Sequence, residues 1–360
     1  MQIRNKYISE LVRFVNQYFG WRNWSVVVYN SVIENVFLIF YIALRNQLFR
    51  LNFMIDFFIF LAFSIFSTSY GYLINDFADK ELDALHDKEN TFEDDSKFKA
   101  GLIVLLFLAM SVSCGLHFLS NHLFLPLWVL WILIATFYSL RPFRLKERGK
   151  IGLIFAVIAQ RVLPILIIFA AFKHFEMVDV VVFTAYIFFR GLSSDLNHQI
   201  EDHKKDSVTE TDTYAVQAGL RKAKKIFRFS LEMEKGLLIF CLLIMCLNIP
   251  YLHIWGISLI SPVLLVYVLL YALNWVEIRS QGVDIDVNPF IPNRKDIFQF
   301  IHHAFPSVLI PFYLLLLLVY KQWLFIPIVL LFVIFRKMYS LELIHNSFPL
   351  RVIRNIIQSQ

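Results

Sequence analysis

Two acid-rich stretches hold the residues best suited to chemistry. The first is Asn75-Asp76-Phe77-Ala78-Asp79-Lys80-Glu81-Leu82-Asp83, directly after an apolar run ending in Tyr72-Leu73-Ile74. On a helix that continues past Asn75, residues four apart share a face, so Asn75, Asp79 and Asp83 stack as three oxygen ligands. The second stretch runs from Asp195 to Asp206, DLNHQIEDHKKD. There His198, Asp202 and Asp206 share a face, with Asp195 and Gln199 beside them. Carboxylates at this spacing repel one another. One ionised side chain at mid-membrane costs roughly 2.5–3.5 kcal/mol, so four unpaired carboxylates at depth would cost on the order of 10 kcal/mol. They belong near the interface, or with cations between them. Hard oxygen ligands suit Mg²⁺, which keeps waters and shares its shell with substrate phosphates. Either stretch alone also reads as a solvated helix end; two of them at corresponding ends of two spans favour a diphosphate gripped through metal.

A third element, Tyr138-Ser139-Leu140-Arg141-Pro142-Phe143-Arg144-Leu145-Lys146-Glu147-Arg148, ends another apolar run. Pro142 stops the helix. The element sets a tyrosine and several cations beside the acids, where arginine binds phosphate by forked bonds and lysine as a point charge.

The elements that must position these groups are membrane helices. Of the 360 residues, 58% are hydrophobic, and the mean hydropathy is +0.61, well above soluble domains. A spanning segment must satisfy its own backbone hydrogen bonds, and these runs are too long and too uniformly apolar for barrel strands. The expected fold is all-α, a polytopic bundle with spans at roughly 25–45, 53–74, 101–119, 122–140, 152–172, 178–198, 236–255, 257–276, 305–320 and 322–338. The last two are short and contain Pro311 and Pro327, so the count is nine or ten. Residues 1–24 lack the pattern of a cleavable leader and read as an amphipathic interfacial helix, with Ile8, Leu11, Val12, Val15 and Phe19 at helical spacing. Residues 25–340 form the transmembrane domain and 341–360 a tail.

Lys and Arg concentrate in the loops after spans 2, 4, 6 and 8, which places the amino terminus and those loops in the cytoplasm. The basic residues flank spans rather than forming one soluble stripe, which argues against nucleic acid as a partner. Cys114, Cys241 and Cys246 lie in apolar runs with no metal-ligand spacing and read as packing residues. The 38 phenylalanines face lipid or line a cavity for an apolar substrate.

NDFADKELD, YSLRPFRLK and HQIEDHKKD occur in the order of motifs that marks the UbiA superfamily of integral-membrane prenyltransferases. The resemblance spans roughly residues 20–335. It implies about nine transmembrane helices around a central cavity, capped by the motif loops. It also implies a first Mg²⁺ site at Asn75, Asp79 and Asp83 with Asp76 alongside, and a second at Asp202 and Asp206. Tyr138, Arg144 and Lys146 would touch diphosphate or acceptor. Arg22 resembles the arginine that often opens the first span. The run from His86 to Asp95 departs from the Arg-Pro pair common after the first motif, which leaves the acceptor open. Arg161 and Arg190 lie inside spans and are functional candidates by default; their structural alternative is pairing with Glu34 or the acidic clusters. His302-His303 reads as an interfacial pair.

The implied reaction moves a prenyl group from a polyprenyl diphosphate to a hydrophobic or aromatic acceptor, such as a quinone precursor, in the lipid bilayer. The same motifs admit a terpene cyclase acting without acceptor, a phosphoribosyltransferase acting on a polyprenyl phosphate, or, in another class, an ion-coupled transporter.

Overall fold

A computed structural model of the chain describes residues 2–19, 35–85, 87–208, 211–281, 302 and 305–335. Helices dominate these residues, and the strands among them form a hairpin of two two-residue strands, β1 (His253–Ile254) and β2 (Ile257–Ser258), turned at Gly256. The helices are α1 Gln2–Phe14, α2 Val36–Arg45, α3 Leu51–Leu85, α4 Lys97–Gly115, α5 Phe124–Ser139, α6 Gly149–Ala171, α7 Met177–Val208, α8 Tyr214–Ala218, α9 Leu220–Leu247, α10 Ser261–Gln281, α11 Phe305–Lys321 and α12 Ile326–Phe335. Four helices among the described residues are long and apolar enough to cross a membrane, α3, α4 with its last 3₁₀ turn, α6 and α7; five shorter segments are equally apolar.

Length explains how the acidic motifs are carried. About 20 helical residues cross the hydrocarbon core. Helix α3 has 35 residues and α7 has 32. The surplus in each is the acidic stretch, so each motif is a rigid continuation of a span. Prolines mark the irregular turns. Pro164 follows a π turn at Ile158–Val162 in α6, and Pro306 lies in another at Phe305–Leu309 in α11. A proline removes a helical donor and crowds the carbonyl four residues earlier, and a wider turn relieves that crowding. Extended Gln322 separates α11 from α12, so the two last spans are distinct helices. The seventh span differs from expectation: α9 starts at Leu220, well before the apolar run, and stops at Leu247 ahead of the hairpin.

The chain forms two compact units. The first comprises 1–34, 55–173 and 203–218. Phe60, Phe63, Phe118, Phe124, Trp128 and Phe172 make its aromatic core. Since lipid is as apolar as the side chains, helix association needs close packing and interhelical hydrogen bonds. Ser67 and Ser111 (2.6 Å) join α3 to α4, Tyr70 and Thr136 (2.7 Å) join α3 to α5, and Trp131 Nε1 donates to the Ala159 carbonyl of α6 at 2.7 Å. Leu102, Leu105, Leu125, Val129 and Leu133 are exposed, as lipid-facing positions are.

The second unit comprises 35–54, 174–202 and 219–360. Helix α2 is buried on every face from Val36 to Leu44. Its Tyr41 hydroxyl donates to Asp179 Oδ2 at 2.8 Å, which also lies 2.6 Å from His174 Nε2. Asn248 Nδ2 donates to Asp179 Oδ1 at 3.1 Å. Asp179 is 1% exposed, so these donors replace the water it has lost. Breaking a buried ionic network by removing one partner strands the others, so Asp179→Ala is expected to cost about 3 kcal/mol of stability. Tyr41→Phe removes one donor and costs about 1 kcal/mol. Thermal unfolding in detergent reads both; an unchanged midpoint for Asp179→Ala would contradict the network's role.

Candidate active site

The first acidic motif occupies the last turns of α3, in the first unit. Asn75, Asp79 and Asp83 fall on one face, and the turn after α5 folds onto that face. Helix α5 ends at Ser139, Leu140 is extended, and the Arg141–Pro142 peptide is cis. Arg144 takes a left-handed backbone with φ 37°, and a 3₁₀ turn at Leu145–Glu147 follows. Gly149 lets the chain double back: its φ is +50°, and its N–H donates to the Asp212 carbonyl at 3.1 Å. At Gly152 a Cβ would lie 2.5 Å from the Leu145 carbonyl oxygen, so only glycine lets α6 pack so closely under the turn.

Asp79 is the centre of this turn. Lys146 Nζ pairs with Asp79 Oδ2 and donates to Asn75 Oδ1 at 3.0 Å. Ser139 Oγ donates to the same Asn75 oxygen at 2.9 Å. Arg144 Nη2 lies 3.1 Å from Asp79 Oδ1, and Arg144 Nε donates to Glu147 Oε1 at 2.5 Å. The Arg144–Asp79 approach has ion-pair distance without hydrogen-bond alignment, so Asp79 Oδ1 is buried with no hydrogen bond. Burial pushes the Lys146 ammonium below its ordinary pKa, and Asp79 opposes that shift. The cations that spacing set near the acids therefore rest on them directly.

Asp76 is spent differently. It is 2% exposed, and its carboxylate accepts from the Thr91 N–H at 3.2 Å. Asn90 Nδ2 donates to the Asp76 carbonyl and to Asp83 Oδ2, both at 2.8 Å. Asp95 accepts from Tyr18 (2.7 Å) and Lys99 (2.6 Å). Burial alone would raise the Asp95 pKa, but the hydrogen bonds from Lys99 and Tyr18 outweigh it and hold the carboxyl below its usual range.

The second motif continues α7. Asp195 and Gln199 are half-buried, His198 and Asp202 exposed, and Asp206 half-buried. The helical spacing puts them on one side, as expected. Residues 203–218, which include Asp206, belong to the first unit. There Thr213 bridges to Gly149, at the end of the turn that carries Arg144 and Lys146. Tyr138 is half-buried in the last turn of α5. Arg161 is half-buried in the π turn of α6.

Arg190 departs from expectation. It is 4% exposed, and its Nη1 lies 2.7 Å from Glu234 Oε1. Glu234 also accepts from Ser193 Oγ at 2.5 Å, and His302 Nε2 lies 2.8 Å away. His302 is thus buried rather than interfacial. Sequence reasoning missed Glu234, although its place among Glu232, Glu234 and Lys235 at the start of an apolar run was a usable signal. It also missed Asn90, Tyr18 and Ser139, whose roles depend on loop paths that spacing does not encode. Arg22, Glu34 and His303 lie outside the described residues.

The chain matches the model of the UbiA prenyltransferase family over residues 36–287. No curated protein matches it. Among solved structures, a UbiA homolog from Archaeoglobus fulgidus bound to GPP and Mg²⁺ is 19% identical with a TM-score of 0.54, covering 84% of this chain and 99% of that one. An apo UbiA homolog from Aeropyrum pernix K1 is 16% identical with a TM-score of 0.52, covering 79% and 96%. A digeranylgeranylglyceryl phosphate synthase is 16% identical with a TM-score of 0.51, covering 86% and 98%. At these identities the likeness is one of fold, and it extends nearly end to end. With the family model covering most of the chain, the protein belongs to the UbiA prenyltransferase family.

Proposed function

We propose that this protein transfers a prenyl group from a polyprenyl diphosphate to a hydrophobic acceptor, aromatic or a quinone precursor, in a Mg²⁺-dependent reaction within the membrane. The observation that carries the reading is Asp79, a buried carboxylate with one oxygen lacking a hydrogen bond, flanked by Lys146 and Arg144 and aligned with Asn75 and Asp83. Solved homologues of the same fold are described as bound to GPP and Mg²⁺ and to DMAPP and Mg²⁺.

The residues present fit a magnesium ion. The donors are hard oxygens, and the buried Asp79 Oδ1 is left for one more partner. Among the described residues no three acidic, histidine or cysteine side chains converge tightly enough to hold a metal by themselves. That suits an ion that keeps waters and completes its shell with substrate phosphate. Asn75, Asp79 and Asp83 would hold one ion, and Asp202 and Asp206 another. Bound Mg²⁺ supplies charge stabilisation to the diphosphate leaving group.

The chain's own groups do the rest. Lys146 and Arg144 are cations held on Asp79, and on passing to a diphosphate they would stabilise the charge that develops at the leaving group. Tyr138 and Asp195, His198 and Gln199 would line the substrate side, with Arg161 and Arg22 further contacts. The allylic carbon needs surroundings that exclude water and stabilise a cation. Aromatic faces do so, and α3 carries Phe63, Phe66 and Tyr70 in the turns before Asn75. Arg190, neutralised by Glu234, serves the scaffold. In this reading 1–24 is an interfacial helix, 25–340 the transmembrane domain and 341–360 a tail, with the amino terminus and motif loops cytoplasmic.

Purified protein incubated with Mg²⁺, a panel of prenyl diphosphates and a lipid extract is expected to yield a prenylated acceptor by mass spectrometry. Product formed from donor alone would replace transfer with cyclisation. Asp202→Ala is expected to abolish turnover while the protein keeps its thermal midpoint; Asp79→Ala is expected to abolish turnover and to lower the midpoint, because it leaves Lys146 buried without its partner. Lys146→Ala should lower kcat/KM by about 10²-fold, the scale of one lost preorganised donor. EDTA should stop the reaction and added Mg²⁺ restore it; full activity in EDTA would refute the scheme.

A further inference from the structure

We infer that Asn90 is a positioning residue for Asp83, and that the contact between Tyr18 and Asp95 holds it there, so that the amino-terminal helix is a working part of the acidic site. The inference rests on the proposed role of Asp79 and Asp83 as ligands.

The orientation of Asn90 is fixed by its own hydrogen bonds. Its Oδ1 accepts from the Phe92 N–H at 2.9 Å, which turns the amide NH₂ toward α3. That NH₂ spans the Asp76 carbonyl and Asp83 Oδ2. A donor on a carboxylate is a charge-assisted bond, stronger than a neutral one. Asp83 lies in the last turn of α3, where helices fray, and one turn from the like charge of Asp79, which repels it. Asn90 opposes both tendencies by holding the carboxylate oxygen, so Asp83 stays aimed.

Three layers hold the loop in place. The Thr91 N–H bonds the Asp76 carboxylate. Lys80 Nζ caps the carbonyls of Phe92, Glu93 and Asp95. On the other side Asp95, 5% exposed, accepts from Tyr18, Gln17 and Lys99, while Gln17 Nε2 also donates to the Thr91 carbonyl at 3.1 Å. Phe92 is fully buried beside Tyr18, with ring centroids 6.0 Å apart. Tyr18 lies in a π turn, Val15–Phe19, that extends α1, and Phe19 packs on Phe107 and Phe66. A loop as polar as 87–95 would ordinarily be solvated; this one is sewn between the acidic helix and the amino-terminal helix. The three aspartates of the first motif thus divide their work: Asp76 anchors the loop, while Asp79 and Asp83 are the proposed ligands.

The test is a titration of the purified full-length protein with Mn²⁺ in the presence of inorganic pyrophosphate, read by electron paramagnetic resonance. Asn90→Ala is expected to weaken Mn²⁺ binding roughly tenfold. Tyr18→Phe, which keeps the ring and removes one donor, should weaken it in the same direction by a smaller factor and speed amide exchange across 87–96. In turnover assays Asn90→Ala should raise the Mg²⁺ requirement while kcat at saturating Mg²⁺ stays close to wild type, a split that a general loss of structure would not give. Asp79→Ala serves as the reference. If it abolishes Mn²⁺ binding while Asn90→Ala and Tyr18→Phe bind as wild type does, the inference fails and the active-site reading stands. If Asp79→Ala also binds normally, the active-site reading fails. Should Asn90→Ala not fold, Tyr18→Phe decides by the same titration.

Discussion

Everything at the acidic site follows from the difficulty of burying a carboxylate. Asp79 is 8% exposed, and a charge withdrawn from water needs charged or hydrogen-bonded partners. Lys146 and Arg144 supply the charge. Their position depends in turn on the sharp stop of α5, the left-handed Arg144 and the two glycines that let α6 begin beneath them. The cost is structural: a turn of unusual backbone, fixed from several directions. The result is a buried carboxylate paired with the protein's own cations, which under the proposed function would pass to the anion of a bound metal.

The second unit solves the same problem in a closed way. Asp179 is surrounded by Tyr41, His174 and Asn248, and Glu234 by Arg190, Ser193 and His302. Both carboxylates accept hydrogen bonds on each oxygen, whereas Asp79 Oδ1 meets Arg144 only as an ion pair, with no hydrogen bond. Under the proposed function, that contrast separates acids that stabilise the fold from the acid that would take a ligand. Arg190, a candidate from its place inside a span, is buried in an ion pair with Glu234.

Much of this was legible in the sequence because it is carried by single helices. The spacing of Asn75, Asp79 and Asp83, and of Asp195, Gln199, Asp202 and Asp206, needs only helical periodicity, and both motifs do continue long spans. The arrival of Arg144 and Lys146 beside Asp79 was suggested by composition and by the resemblance of the motifs, since no local rule fixes the path of a turn between helices. Asn90 and Asp95 were invisible for that reason: a polar loop gives no hint that it is folded inward until Tyr18, more than seventy positions away, is seen to close it. The place of Glu234 at the start of an apolar run was legible, but its partners Arg190 and His302 come from distant segments that no local rule joins to it. Family membership came from the order of the motifs and was borne out by a match over residues 36–287.

The most direct measurement is anomalous diffraction from crystals grown with Mn²⁺ and a prenyl diphosphate. A peak at ligand distance from Asp79, with Lys146 and Arg144 moved from that carboxylate to the phosphate oxygens, is the predicted result. A prenyl diphosphate bound elsewhere, with the Lys146–Asp79 pair intact and no scattering beside it, would contradict the account.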